Sequence, residues 1–334
     1  MPDPLLAVVF CLGVAVSLSA SWVLVITLER VGARLGLTEA LLGMAAAIAA
    51  DAPEITAAIS ALAQHDQHVG AGVVIGSNVF NLAALLGLAT VVAGRIALHR
   101  RVIELGGAVA LWICAVSLAV VTHAIDPPAG LIAAVAVVGP YLVLLGIRHE
   151  RLARLRAPAS WTRWLAAAIS EEELELEPAI HPRRGHPRDT LLAASALLVV
   201  VGASIAMERS ATELGHRHAI PGILVGALVL AAVTSLPNAV AAVYLAARGR
   251  GSATLSTALN SNTFNVLFGL LLPVVFVSLG AASAETTFVT ASYAGLTLLA
   301  LLLAYAGHGL RRATGAAIIA TYLAYVAVLI AIAT

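Results

Sequence analysis

Ten apolar stretches, each long enough to cross a lipid bilayer, follow one another along this chain. A helix needs about 20 apolar residues to span the hydrocarbon core of a membrane. Only 11% of the residues are charged, whereas a soluble domain has about 25%. The pattern therefore predicts an all-α polytopic membrane protein with ten transmembrane helices. The predicted spans are 5–28, 37–62, 69–93, 103–122, 128–147, 189–207, 220–247, 253–279, 287–306 and 312–332.

The distribution of arginine predicts how these spans are oriented. The sequence has no lysine, and 17 of its 19 arginines fall in the loops after spans 1, 3, 5, 7 and 9, which include the long hydrophilic segment 148–188. Only Arg209 and Arg217 lie on the other side. Cytoplasmic loops carry the excess of basic residues. We therefore expect a bacterial inner (plasma) membrane protein with 148–188 in the cytoplasm and both termini outside.

A five-residue pattern, Ser-Asn-x-Phe-Asn, occurs twice at a separation of 184 residues. It appears in IGSNVFNL (75–82) and again in LNSNTFNV (259–266). The same offset superimposes spans 1, 4 and 5 on later spans, which gives five spans in each half of the chain. Because five is an odd number, the second half must enter the membrane from the side opposite to the first. We predict two inverted five-helix repeats, as in many secondary transporters. The predicted units are 1–147 with a motif at 37–88, the cytoplasmic loop 148–188, and 189–334 with a motif at 220–272.

The second span carries two acidic residues near its middle. Asp51 and Glu54 are three positions apart, so both side chains lie on one face of a helix. Each charge at the bilayer centre costs about 2.5–3.5 kcal/mol on insertion scales, and no arginine lies in the core of any predicted span. The pair indicates a functional site for a cation or a proton. The alternative is that both carboxyl groups are protonated and have no such role.

Prolines at matching repeat positions are expected to free backbone oxygens at the same depth. Proline lacks an N–H and crowds the carbonyl four residues earlier, which belongs to Ala49 for Pro53 and to Val233 for Pro237. We expect a kink or break at both prolines. Unpaired carbonyl oxygens are tolerated at membrane depth only where they are buried in protein or line a cavity. These two oxygens are therefore expected to border a site between the repeats.

Side chains that carry oxygen recur at this level in both halves. Ser77 and Asn81 are four residues apart and share a helix face, as do their counterparts in the second half. Sodium and calcium favour carboxylate, carbonyl, hydroxyl and amide oxygens. Asn78 and Asn262 point elsewhere and are expected to join helices by hydrogen bonds. The predicted metal-binding set is Asp51, Glu54, Ser77, Asn81, Thr234, Ser235, Asn238, Ser261 and Asn265.

The segments APEI…GSNVFN and SLPNAV…NSNTFN resemble the paired alpha repeats of the sodium/calcium exchanger family, within the cation/calcium antiporters. The resemblance implies the family's fold, in which spans 2, 3, 7 and 8 bind the ion. It also implies that calcium is exchanged for sodium or protons. By the same resemblance Glu54 is an acidic ligand, and the implied polar ligands are Ser77, Asn81, Thr234, Ser235 and Ser261.

Two places depart from the family's pattern. The second repeat has Asn238 where the family places an acid after the proline, and the first repeat has Ala50 and Asp51 in place of a hydroxyl pair. Our hypothesis is that Asp51 supplies the charge missing at Asn238, so that two carboxylates can neutralise a divalent ion. If Asp51 instead points away, the single carboxylate of Glu54 suits a monovalent ion or a proton better.

These observations predict a secondary active cation antiporter that works by alternating access, with no enzymatic activity and no cofactor besides the transported ions. The expected partners are inorganic cations and the lipid bilayer, and not nucleic acid. Two alternatives stay open: a sodium- or proton-coupled carrier of another cation, and a non-transporting membrane sensor that retains an ion site. The cation site requires the carboxyl groups of Asp51 and Glu54 to lie close to Ser261 and Asn265.

Overall fold

The chain is mostly helical in a computed structural model, which describes residues 1–37, 39–146, 186–249 and 251–334, together with 164, 165 and 167. The predicted loop 148–188 lies almost wholly outside the described residues. In chain order the elements are α1 (Asp3–Leu35), α2 (Glu39–Ala63), α3 (Gln67–Ala93), β1 (Arg95–Ala97), α4 (Arg100–Val121), α5 (Pro127–Gly146), α6 (Pro187–Arg217), α7 (Gly222–Thr234), α8 (Leu236–Ala247), α9 (Gly251–Phe264, extended by a π-helical stretch Asn265–Leu271 and a turn Leu272–Val274), α10 (Ala284–Gly307), β2 (Gly309–Arg311) and α11 (Arg312–Ala333).

Within the described part of the chain, eight helices are long and apolar enough to cross a membrane, or nine if α7 and α8 together form one span. This identifies a polytopic helical membrane protein. The helix α9, at the position of the predicted span 253–279, is not among the nine, since serine, threonine and asparagine make its first half more polar. The number of ten spans therefore stays a prediction.

The long helices α1 and α6 pack along each other. Ser17 Oγ and Ser204 Oγ are hydrogen-bonded at 2.7 Å in the middle of this contact. A Cβ added to Gly13 would lie only 3.0 Å from the Cβ of Met207. Small residues at helix contacts let backbones approach closely in membranes, where hydrophobic burial against lipid drives little association.

The centre of the molecule is formed by α2, α3, α7 and α9, and two glycines bring α3 and α7 into backbone contact. A Cβ at Gly76 would overlap the backbone of Ala227, and a Cβ at Gly226 would overlap the carbonyl group of Val69. Larger residues at either position would push the two helices apart. The glycines therefore fix how closely the first half of the chain packs against the second.

Gly76→Ala is expected to lower the melting temperature of the purified protein, because the added methyl group requires α7 to move. Overpacking of this kind typically costs about 1–3 kcal/mol. Gly295→Ala in α10 is the matched control, since no heavy atom lies within 4 Å of a Cβ there. Removing a helical glycine at that position is expected to stabilise by about 0.5–1 kcal/mol. Thermal unfolding in detergent measures both variants, and equal melting temperatures would contradict the close approach of α3 and α7.

A short antiparallel ladder joins the segment after α3 to the segment after α10. Ile96 of β1 is paired with Leu310 of β2, and both side chains are buried. Gly309, opposite Ala97, has a φ of 126°, which only glycine adopts readily. The ladder ties the two halves together at the level of the loops.

The two matched prolines act differently on their helices. The helix α2 is continuous with Pro53 inside it, and Ser21 Oγ of α1 donates a hydrogen bond to the carbonyl oxygen of Ala49 at 3.0 Å. At Pro237 the chain bends, and α7 and α8 meet at 47°. The kink or break expected at both prolines is thus found as a break in the second half, whereas the helix at Pro53 is unbroken. In the first half a hydroxyl of a neighbouring helix bonds the carbonyl that Pro53 deprives of its donor.

Candidate functional site

Asp51 lies in α2 and is fully buried. Its Oδ1 accepts hydrogen bonds from Asn238 Nδ2 of α8 at 2.6 Å and from Ser261 Oγ of α9 at 2.7 Å. Its Oδ2 has no hydrogen-bond partner among the described residues. The carboxyl group therefore points into the space between the two halves of the chain, with one oxygen free to accept.

Glu54 follows one helical turn later on the same face of α2. Its Oε2 accepts a hydrogen bond from Ser235 Oγ at 3.2 Å, and its Oε1 accepts one from Asn265 Nδ2 of the π-helical stretch after α9. The carboxyl groups of Glu54 and Asp51 are direct neighbours. Both carboxylates of the first half are thus held by donors from the second half, and all of these donors are neutral.

A network of asparagines connects α3 to α9 around the carboxylates. Asn78 Nδ2 donates to the carbonyl oxygen of Asn262, and Asn262 Nδ2 donates to the carbonyl oxygen of Asn78, both at 3.0 Å. Asn81 Nδ2 donates to Asn262 Oδ1 at 3.0 Å and to Ser261 Oγ at 3.3 Å. Asn265 Nδ2 also approaches Asn78 Oδ1 at 3.2 Å. Asn78 and Asn262 therefore make the helix-joining hydrogen bonds expected of them, but the expectation that they point elsewhere is wrong, because their side-chain oxygens accept from Asn265 and Asn81 of the predicted metal-binding set.

Four buried oxygens of the predicted set have no hydrogen-bond partner within the described part of the chain: Asp51 Oδ2, Ser77 Oγ, Asn81 Oδ1 and Asn265 Oδ1. An unsatisfied buried polar group costs about 1–3 kcal/mol, and native structures contain few of them. All four are of the oxygen types that hard cations bind. The chemistry of these atoms fits a cation held between the two halves.

The structure brings most of the predicted metal-binding residues into one hydrogen-bonded cluster, and each of the nine is at most 2% exposed. Ser77 lies one turn before Asn81 on α3 and bonds to no other member. Thr234 also stays outside the cluster, since its hydroxyl donates to the carbonyl oxygen of Leu230 in its own helix at 2.9 Å. The members of the hydrogen-bonded cluster are Asp51, Glu54, Asn81, Ser235, Asn238, Ser261 and Asn265.

The charged groups of this cluster are two carboxylates, and the remaining oxygens come from amides and hydroxyls. Across the described ranges there is no group of three or more His, Cys, Asp and Glu side chains placed to hold a metal. Such a composition is unsuited to zinc, which prefers nitrogen and sulfur ligands. It suits a hard cation that takes neutral oxygens along with carboxylates.

Glu208 of α6 is a buried acid that the sequence analysis does not single out. Only 1% of it is exposed, and it accepts hydrogen bonds from Ser60 Oγ at 2.7 Å, Gln64 Nε2 at 3.1 Å and Thr212 Oγ1 at 3.1 Å. None of these partners belongs to the predicted metal-binding set. Glu208 also lines a cleft of about 550 Å³. Its position at the edge of the predicted span 189–207 gave no reason to expect burial.

A family model described as "Sodium/calcium exchanger protein" matches residues 5–149 and 190–331. The chain is 36% identical over 80 residues to sodium/potassium/calcium exchanger 3 of Rattus norvegicus, a match that covers 24% of this chain and 13% of the rat protein. It is 31% identical over 141 residues to the sodium/calcium exchanger MaX1 of Methanosarcina acetivorans, covering 41% of this chain and 39% of that protein. The chain therefore matches well under half of the length of these relatives.

Two solved structures have a similar fold. The H⁺/Ca²⁺ exchanger CAX aligns with a TM-score of 0.71 at 14% identity, over 98% of this chain and 86% of that one. The sodium-calcium exchanger NCX_Mj aligns with a TM-score of 0.59 at 19% identity, over 98% of this chain and 99% of that one. At these identities the likeness concerns the fold alone.

Proposed function

This chain belongs to the sodium/calcium exchanger family, and we propose that it is a secondary active antiporter exchanging calcium for sodium or protons by alternating access. One observation carries the proposal. Two neighbouring buried carboxylates, Asp51 and Glu54, face oxygen-bearing side chains from both halves of the chain, and four buried oxygens there have no partner among the described residues. Binding and release of ions require no covalent step and no cofactor.

In this proposal Asp51 and Glu54 supply the negative charge and the neutral oxygens complete the coordination. Calcium takes about 6–8 oxygen ligands, which two carboxylates cannot provide alone. Asp51 Oδ2 accepts no hydrogen bond from an amide or hydroxyl of the described residues and is proposed to coordinate the ion. The proposed neutral ligands are Ser77, Asn81, Thr234, Ser235, Asn238, Ser261 and Asn265.

The proposed architecture is ten spans in two inverted repeats, 1–147 and 189–334, joined by the loop 148–188. The reciprocal hydrogen bonds of Asn78 and Asn262 support it, since these residues are 184 positions apart and play equivalent parts. Further support comes from π-helical stretches at corresponding places, Leu82–Leu88 and Asn265–Leu271. Because π-bulges often mark functional sites, we assign both stretches to the transport pathway.

The proposed location is a bacterial inner membrane, with both termini outside and the joining loop in the cytoplasm. The arginine distribution supports this orientation, because 17 of the 19 arginines lie on the side of that loop. The site is closed to solvent in the structure. Transport therefore requires each side to open in turn, and rocking of one repeat against the other is the motion associated with such architectures.

A second candidate, a sodium- or proton-coupled carrier of another cation, is favoured by one contact. Asn238 presents an amide N–H to Asp51 at 2.6 Å, at a position where the family places an acid. The site consequently has less negative charge than a third carboxylate would give it. Competition of sodium, magnesium and manganese with calcium in the flux assay below separates the two candidates.

The proposed function is tested by reconstituting the protein in vesicles that contain calcium and imposing an opposite sodium or proton gradient. We expect calcium to move against its own gradient until the imposed sodium or proton gradient has dissipated. Protein-free vesicles measure the leak. Flux of a different cation with no calcium movement would support the second candidate, and saturable calcium binding without any flux would favour a sensor.

A further inference from the structure

We propose that the ladder between β1 and β2 binds the phosphate group of an acidic phospholipid. Arg95 of β1 lies directly opposite Arg311 of β2. Directly opposite residues of an antiparallel pair project from the same face of the sheet, with Cβ atoms about 4.5–5.5 Å apart, and like charges placed in this way are destabilising. An anion between the two guanidinium groups relieves this repulsion. No residue of the ladder belongs to the predicted metal-binding set, and binding of an anion here does not depend on transport.

The ladder lies at the level of the phospholipid headgroups. The strand β1 occupies the short connection between helices that end at Ala93 and begin at Arg100, and both helices are long and apolar enough to cross a membrane. The strand β2 likewise connects the spans α10 and α11. The guanidinium group of Arg100 lies 4.8 Å from the centre of the Tyr305 ring, and tyrosine is enriched where a membrane meets water. A lipid phosphate can therefore reach the ladder while its acyl chains remain in the bilayer.

Three arginines at the ladder have no acidic partner within the described part of the chain: Arg95, Arg311 and Arg312. All three are exposed. The backbone N–H of Arg312 donates to the carbonyl oxygen of Gly94 at 3.2 Å, and its guanidinium group lies beside Gly94. Arg312 thus brings a third positive charge next to the opposed pair. Clustered charges of one sign attract a counter-ion of the other.

The chemistry of the surface favours a lipid phosphate over a free phosphate ion. Arginine suits phosphate because its planar guanidinium group can donate two parallel hydrogen bonds to two phosphate oxygens. An apolar stripe on α10 suits the acyl chains. Leu298, Leu302 and Tyr305 are exposed and lie four and three residues apart, so that they share one face of the helix. A free phosphate ion would gain nothing from this stripe.

The test measures the melting temperature of the purified protein in a neutral detergent. Phosphatidylglycerol, phosphatidylcholine with the same acyl chains, or inorganic phosphate is added at matched concentrations. We expect phosphatidylglycerol to raise the melting temperature in a saturable way, because a ligand that binds the folded state stabilises it, and the other two additions to leave it unchanged. An equal rise with phosphatidylcholine would assign the effect to the acyl chains, and an equal rise with inorganic phosphate would assign it to a free anion. Either result would overturn the proposal.

Arg95→Gln removes one charge of the opposed pair and keeps an exposed polar side chain. We expect it to weaken phosphatidylglycerol binding at least about fivefold, or about 1 kcal/mol, as measured by the lipid concentration that gives half of the temperature rise. In phosphatidylcholine the variant should melt at or above the wild-type temperature, because the repulsion across the ladder is gone. An unchanged response to phosphatidylglycerol, or a lower melting temperature in phosphatidylcholine, would contradict the proposal.

Arg34→Gln is the matched control, and Arg312→Gln is a second variant of the ladder. Arg34 is an exposed arginine in the last turn of α1, a helix that packs on α6 and α2, and its substitution changes the net charge by the same amount. We expect Arg34→Gln to respond to phosphatidylglycerol as the wild type does and Arg312→Gln to bind it more weakly. An equal loss of binding in all three variants would indicate a general attraction of a basic surface for an acidic lipid and would overturn the assignment to the ladder.

Discussion

Glu54→Gln is expected to abolish calcium counterflow in reconstituted vesicles and to weaken calcium binding by at least about 100-fold. The substitution keeps an oxygen that can accept from Ser235 or Asn265 but removes half of the negative charge at the site. One pair of unit charges 4 Å apart is worth about 4 kcal/mol at an effective dielectric of 20, and tenfold in affinity is about 1.4 kcal/mol. Calcium-dependent stabilisation in thermal unfolding measures the binding, and it should vanish in the variant.

Glu208→Gln is the matched control for this prediction. It makes the same substitution at a buried glutamate whose partners, Ser60, Gln64 and Thr212, lie outside the site. We expect this variant to keep calcium-dependent stabilisation and counterflow within about threefold of the wild type, because Glu208 shares no hydrogen-bond partner with the site and effects at sites without shared partners usually add to within about 0.5 kcal/mol. Unaltered calcium flux in Glu54→Gln would remove Glu54 from the site.

Local spacing predicted much of the site. Asp51 and Glu54, three residues apart, do present neighbouring carboxyl groups, and both meet donors from the second half. The repeated Ser-Asn-x-Phe-Asn pattern does place an asparagine of each half in reciprocal hydrogen bonds. The family resemblance carried by these motifs is confirmed by the match over most of the chain. Helical spacing succeeds here because it depends only on neighbours along one helix.

Features that depend on a different helix were not predictable in this way. The carbonyl oxygen of Ala49 was expected to line the cavity, but Ser21 of α1 bonds it, and no local pattern relates those two residues. The π-helical stretches were not predicted either. A π-helical turn shifts the hydrophobic periodicity of a helix by one residue, and a helix that is apolar on all sides has no such periodicity in which the shift could be detected. Thr234 was predicted to belong to the site as an oxygen-bearing side chain near Pro237 and also by the resemblance, yet its hydroxyl bonds its own helix, which is common for threonine in helices.

Exchanging the carboxylate and amide between positions 51 and 238 tests whether Asp51 supplies the charge that the second repeat lacks. Asp51→Asn alone is expected to abolish calcium counterflow, a loss of at least about 100-fold for the same electrostatic reason as at Glu54. Combining it with Asn238→Asp should restore transport to within about tenfold of the wild type, or about 1.4 kcal/mol. The two residues face each other at 2.6 Å, so the double variant reverses the donor and acceptor of one hydrogen bond while keeping two carboxylates.

Comparing these variants also shows whether calcium binding requires two carboxylates in the site or a carboxylate at position 51 itself. Calcium counterflow and calcium-dependent stabilisation are measured for both single variants and for the pair, with the melting temperature without calcium as a check that each protein is folded. Wild-type flux in Asp51→Asn would show that Asp51 takes no part in binding. A folded double variant with no calcium binding would contradict the interchangeability of the two positions. Recovery in the pair, and only in the pair, is the expected result, because a divalent ion needs two carboxylates whichever half of the chain provides the second.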